Sequence, residues 1–163
     1  MAIKEVKGRA LDPCIQEGTR VILHLTNDAN AWGDPCCMAI SKKWPQVENL
    51  YRKEFTRKHS TIWGLGRVIW EFVDLEIAVA NLMCQKGVYG QFNPKPLSKR
   101  ALSDSLDFLL EGLIGLRGDV NRIHRPLEKV SLHVAPCERD WDTVLRGYEY
   151  KLKDFDVYLY KSY

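Results

Sequence analysis

A chain of 163 residues, 45% hydrophobic and 28% charged, has the composition of one globular domain with a sizeable core and not that of a disordered segment. Its formal net charge of +3 is too mild to argue for nucleic acid as a partner. Met1–Lys7 lacks the apolar stretch of a signal peptide, and no apolar run approaches the ~20 residues of a membrane helix, so a cytoplasmic protein without a membrane partner is expected.

Five cysteines, an odd number, fit free thiols in a reducing compartment. No Cys-x-x-Cys pair or Cys/His cluster has zinc spacing, and nothing in the sequence requires a metal or a cofactor.

Along the chain, Ile3–Val6 predicts a short first strand and Val21–Thr26 a buried, β-branched one. Asp34-Pro35 is a helix start, because Asp can cap and Pro at the first helical position lacks an N–H that would be unpaired anyway. That helix should run to about Trp44, where Pro45 stops it, burying Met38 and Ile40. A second helix is expected over Gln46–Arg57, with Val47, Leu50, Tyr51 and Phe55 on one face.

Arg67–Phe72 and Ile77–Met83 predict two neighbouring strands, and Cys84–Pro96 a loop rich in Gly and Pro. Ser98–Leu116 predicts a long amphipathic helix facing inward through Ala101, Leu102, Leu106, Leu109, Leu110 and Leu113. A basic irregular segment follows, with Arg117, Arg122, His124 and Arg125. Lys129–Ala135 predicts a strand, Trp141–Leu152 a helix capped by Asp140, and Phe155–Tyr160 a closing strand. Strands and helices alternate throughout, which predicts a single α/β domain over residues 1–163, with ligands beyond the carboxyl ends of the strands.

The chemistry concentrates after Val21–Leu25, where a strand, a small polar turn and a helix start follow in direct succession. A helix N-terminus offers unpaired N–H groups and a partial positive charge to a phosphate. Asn27 and Asp28 can hold ribose hydroxyls or simply build the turn. Trp32 is placed to stack on a base or ribose. Cys36 and Cys37 lie in the first helical turn, where a thiol gains reactivity, although packing is the favoured role for such cysteines. His24 can move a proton near neutral pH. Cys137, His133 and Asp140 gather around the turn before the last helix.

The residues His24, Asn27, Asp28, Trp32, Gly33, Trp44 and Pro45 resemble the first ligand loop of the macro domains, which bind ADP-ribose. They are most similar to the small bacterial, phage and yeast branch of ADP-ribose-1''-phosphate phosphatase-like proteins. Ala80–Gly87 resembles that family's central strand and its exit. Val130–His133 with Asp140-Trp141 resembles its last core strand and the helix after its second ligand loop.

The resemblance implies a three-layer α/β/α fold with a mixed central sheet. It also implies an ADP-ribose-related ligand: ADP-ribose, its 1''-phosphate, an ADP-ribosylated macromolecule or an NAD-derived signal. His24 and Asp140 become the candidate catalytic acid/base groups of a hydrolase acting at the distal ribose. Asn27, Asp28, Trp32, Gly33, Cys36, Cys37 and Cys137 become the ligand contacts.

Three departures run through the ligand segments. Gly8-Arg9 stands where the family has Gly-Asp, whose carboxylate accepts a bond from adenine, and Arg is donor-only. Asp34-Pro35 puts a negative charge and a missing N–H where the backbone normally meets phosphate. Residues 136–139 contain no Gly, although the family's second loop is Gly-rich. A degenerate, non-catalytic fold that works through protein–protein contact or self-association is the rival reading.

Overall fold

The computed structural model describes residues 3–57, 59–117, 129–136 and 139–163. The expected Cys137 contact and the basic positions Arg122, His124 and Arg125 lie outside the described residues, as does the Arg117 side chain.

The described strands are β1 (Lys4–Glu5), β2 (Thr19–Asn27), β3 (Val68–Phe72), β4 (Ile77–Gln85), β5 (Val130–Val134) and β6 (Asp156–Leu159). They form one sheet in the order β1-β6-β5-β2-β4-β3. Every pairing is parallel except β3 against β4, which makes the sheet mixed. Nearly every residue of β2 and β4 is buried, as a parallel strand covered on both faces requires.

Helices α3 (Lys99–Arg117) and α4 (Trp141–Lys151) cover one face, packing Leu102, Leu106, Leu109 and Val144 on Val21, Leu23, Ala80 and Leu132. Helices α1 (Pro35–Lys43) and α2 (Pro45–Thr56) cover the other, packing Ile40, Val47 and Tyr51 on Ile22, Val79 and Met83. The result is the expected three-layer α/β/α domain.

Three local expectations are corrected. Met38 is 53% exposed, because the buried stripe of α1 runs through Cys37 and Ile40, one helical step apart. Phe55 is also exposed, edge-on to Trp63 in the last turn of α2. Asp140 holds the capping position of α4, but in a left-handed backbone conformation (φ 56°), and its side chain takes no hydrogen bond from the helix.

Candidate functional site

The carboxyl ends of β2, β4 and β5 meet the N-terminus of α1 at a cavity of about 370 Å³. That is within the size range of small-molecule sites. β2 and the turn after it contribute His24, Asn27, Ala31, Gly33 and Asp34. The β4 exit contributes Gln85, Val88 and Tyr89; the β5 exit and α4 contribute Arg139 and Trp141; and Tyr163 closes one side.

The turn after β2 is built by Asn27. Its Oδ1 accepts the N–H groups of Ala29 (3.0 Å) and Ala31 (3.2 Å), and its Nδ2 donates to the Ala31 carbonyl (2.9 Å). The buried Tyr51 hydroxyl donates to Oδ1 and to the Asn27 carbonyl. Burial pushes the Tyr51 phenol up, which keeps it a donor. Asp28 accepts the Gly87 N–H through Oδ1 at 2.8 Å, while its own N–H donates to the Gln85 carbonyl. Two of the loops that frame the cavity are thereby tied to each other. Gly87 sits at φ +69°, a left-handed conformation that a side chain would strain.

Asp34 caps α1 as its sequence position predicts. Its Oδ1 accepts the Cys37 N–H at 2.8 Å, and its Oδ2 accepts the Cys37 thiol at 3.4 Å. The same sulfur lies 3.4 Å from His24 Nε2. Burial pushes the Cys37 thiol strongly up, and the Asp34 carboxylate adds to the effect, so the pair with His24 is a neutral thiol beside an imidazole and not an activated thiolate. Burial holds His24 down at about 4, against a smaller upward pull from Asp34, so its imidazole is neutral at pH 7.

The structure brings His24, Asn27, Gly33 and Cys36 to the cavity, with Cys37 directly behind His24. Asp28 stands behind the rim, in the tie to Gly87. Trp32 lies in the core, between His24 (ring centroids 5.4 Å apart) and Tyr51 (5.1 Å), and its exposure of 4% leaves no face for a base. Asp140 is exposed and is not brought to the cavity beside His24. His133 sits elsewhere, bonded to Ser131 and Tyr160. Arg9 does not reach the cavity. Its Nε donates to the Tyr163 carbonyl at 2.8 Å, fixing the residue whose ring does.

Several cavity residues carried no sequence signal. The Arg139 guanidinium lies over the Tyr89 ring, 3.2 Å from its centre, and so joins the β5 exit to the β4 exit across the cavity. Tyr163 donates its hydroxyl to the Leu23 carbonyl. Only the three-dimensional crossing of distant segments reveals these residues. Among the described residues no cluster of His, Cys, Asp or Glu could hold a metal ion, and no helix is long and apolar enough to cross a membrane.

No family model matches this sequence, and no curated protein does. Solved structures do. A macrodomain protein from Streptomyces coelicolor is 25% identical, with a TM-score of 0.77 over 98% of this chain and 99% of its own. A Bacteroides thetaiotaomicron protein of unknown function is 27% identical, with a TM-score of 0.77 over 100% and 99%. DarTG of Thermosipho africanus, solved in complex with ADP-ribose, is 11% identical, with a TM-score of 0.56 over 87% of this chain and 38% of its own. The six-stranded mixed sheet with its two helical layers is the macrodomain fold.

Proposed function

We propose that the cavity binds an ADP-ribose-related nucleotide. The observation that carries this reading is the cavity itself. It lies at the carboxyl ends of the central strands of a macrodomain fold, where α/β sheets hold nucleotides. The Thermosipho africanus protein of the same fold was solved with ADP-ribose. In this reading the distal ribose lies against the Asn27 turn and His24, and Arg139 takes a phosphate oxygen.

Hydrolysis at the distal ribose, as in the phosphatase-like branch, would fall to His24, whose neutral imidazole can accept a proton. The scaffold reading draws on a different observation. The polar groups of Asn27 and one oxygen of Asp28 are already engaged within the protein.

Isothermal titration with ADP-ribose separates these readings. Micromolar binding is expected, weakened about tenfold by Arg139→Ala, the size of one charge-assisted contact. Arg139 is exposed, so this change leaves the fold intact. Absence of heat from folded protein, with ADP-ribose and with derivatives substituted on its distal ribose alike, would sink the nucleotide reading in favour of the scaffold. Release of free phosphate or ADP-ribose from the bound ligand, abolished by His24→Gln, would add turnover.

A further inference from the structure

We propose that the Asp34 carboxylate makes this cavity selective for nucleotides whose distal ribose bears a positively charged group bonded to its anomeric carbon. Two ligand types share that chemistry: the pyridinium of an oxidised nicotinamide dinucleotide, and the guanidinium of an arginine-linked ADP-ribose. The inference rests on the nucleotide reading above and narrows it.

The argument starts from the end of α1. A helix N-terminus attracts phosphate because its first N–H groups are unpaired and carry partial positive charge. Here the first position is Pro35, which has no N–H, and the Cys37 N–H is taken by the helix's own Asp34 at 2.8 Å. A carboxylate therefore stands at the cavity where an anion would otherwise dock.

That carboxylate is held in place. The Cys37 backbone fixes one oxygen and the Cys37 thiol fixes the other. Because the thiol is buried and protonated, it donates to Asp34 and adds no second negative charge. Only two of roughly four acceptor sites on the carboxylate are used. The residue is exposed and forms part of the cavity lining, so the remaining capacity is open to a ligand.

Among the described residues, the charged side chains of the lining are Asp34 and Arg139. Asp34 lies on the β2 side beside the Asn27 turn, and Arg139 on the β5 side. His24 contributes no charge, since burial holds it neutral at pH 7. A ligand complementary to both ends is itself of mixed charge, with phosphate toward Arg139 and a cation toward Asp34. Bare ADP-ribose has only the phosphates and meets repulsion at Asp34.

The test compares ligands that differ in that one charge. Oxidised and reduced nicotinamide adenine dinucleotide form one pair, and arginine-linked ADP-ribose with free ADP-ribose the other. Each is titrated against the wild type, Asp34→Ser and Asp34→Asn. Ser and Asn are both good helix caps, so the variants remove the charge and keep α1.

The wild type should bind the cationic member of at least one pair about tenfold more tightly than its neutral partner, and both variants should erase that ratio while binding free ADP-ribose better. Whichever pair shows the ratio identifies the source of the cation. Measurable ADP-ribose binding with equal affinities within both pairs overturns this proposal and leaves the nucleotide reading standing. So does a preference that survives in both variants. No binding of any of the four ligands by folded protein overturns both.

Discussion

The chain buries two histidines on the same face of one sheet, and they are built for different ends. His133, on β5, is the register partner of Ile22 on β2, and His24 lies two residues further along that strand. Their exposures are 0% and 1%, and burial holds both at about 4. His133 is complete. One ring nitrogen bonds Ser131 Oγ and the other bonds the Tyr160 hydroxyl, each at 2.8 Å, and Tyr158 stacks on its ring. His24 has one hydrogen bond, the 3.4 Å contact to a thiol, and borders the cavity. Its neighbourhood is unfinished in other ways. Among the described residues, the register partner Asn81 is fully buried with neither amide atom bonded, and the Trp32 indole N–H also lacks a partner. A closed polar chain specifies structure, whereas an open one leaves capacity for a ligand.

The largest expected effect tests what the two share. Each imidazole has an unfolded value of about 6.5 and a folded value of about 4. Between those values the unfolded chain binds the proton and the native protein does not, so acid favours unfolding. The stability from both sites is fully present above pH 6.5 and is lost progressively down to pH 4, by roughly 3 kcal/mol per histidine. Urea unfolding at a series of pH values should show this decline. A flat profile from pH 7 to pH 4 would mean that neither imidazole is held neutral.

Substitution then separates the pair. His133→Leu strands the buried Ser131 hydroxyl and takes one partner from Tyr160, whose hydroxyl keeps its bonds to Cys14, and should cost about 2 kcal/mol. His24→Leu removes only a weak contact to the Cys37 sulfur, whose proton is held by Asp34, and should cost about 1 kcal/mol while lowering nucleotide affinity. Unfolding and titration run on both variants would break the comparison if the two costs came out reversed.

Much of the fold was legible because its elements carry one period each. The strands β2 and β4 read as apolar runs, and α3 showed its inward face through Leu102, Leu106, Leu109 and Leu113, all buried. Met38 and Phe55 misled because hydrophobicity alone does not fix which stripe of a short helix turns inward. The site was legible on one side only. His24, Asn27, Gly33 and Cys36 are close in sequence and line the cavity together, whereas Tyr89, Arg139 and Tyr163 join them by tertiary crossing. Trp32 shows the limit of motif reading: the residue type suits base stacking, but Tyr51 and His24 already occupy its ring.

The smallest stability effect concerns how the open side is held. The tie from Asp28 Oδ1 to the Gly87 N–H joins the β2 turn to the β4 exit, and Arg139 over Tyr89 continues the link to α4. Asp28 is partly exposed, so loss of one hydrogen bond in Asp28→Ala should cost only about 0.5 kcal/mol. The consequence for the cavity is larger than for the fold. Val88 and Tyr89 are half-exposed and sit one and two residues beyond the anchored Gly87, so the variant frees that rim while the sheet beneath stays paired. Amide exchange should accelerate at Gly87 and leave the β2–β4 ladder protected. Nucleotide affinity should fall severalfold, because the ligand would then have to order the rim itself. Unchanged exchange at Gly87 would show that Arg139 and Tyr89 hold the rim without the Asp28 tie.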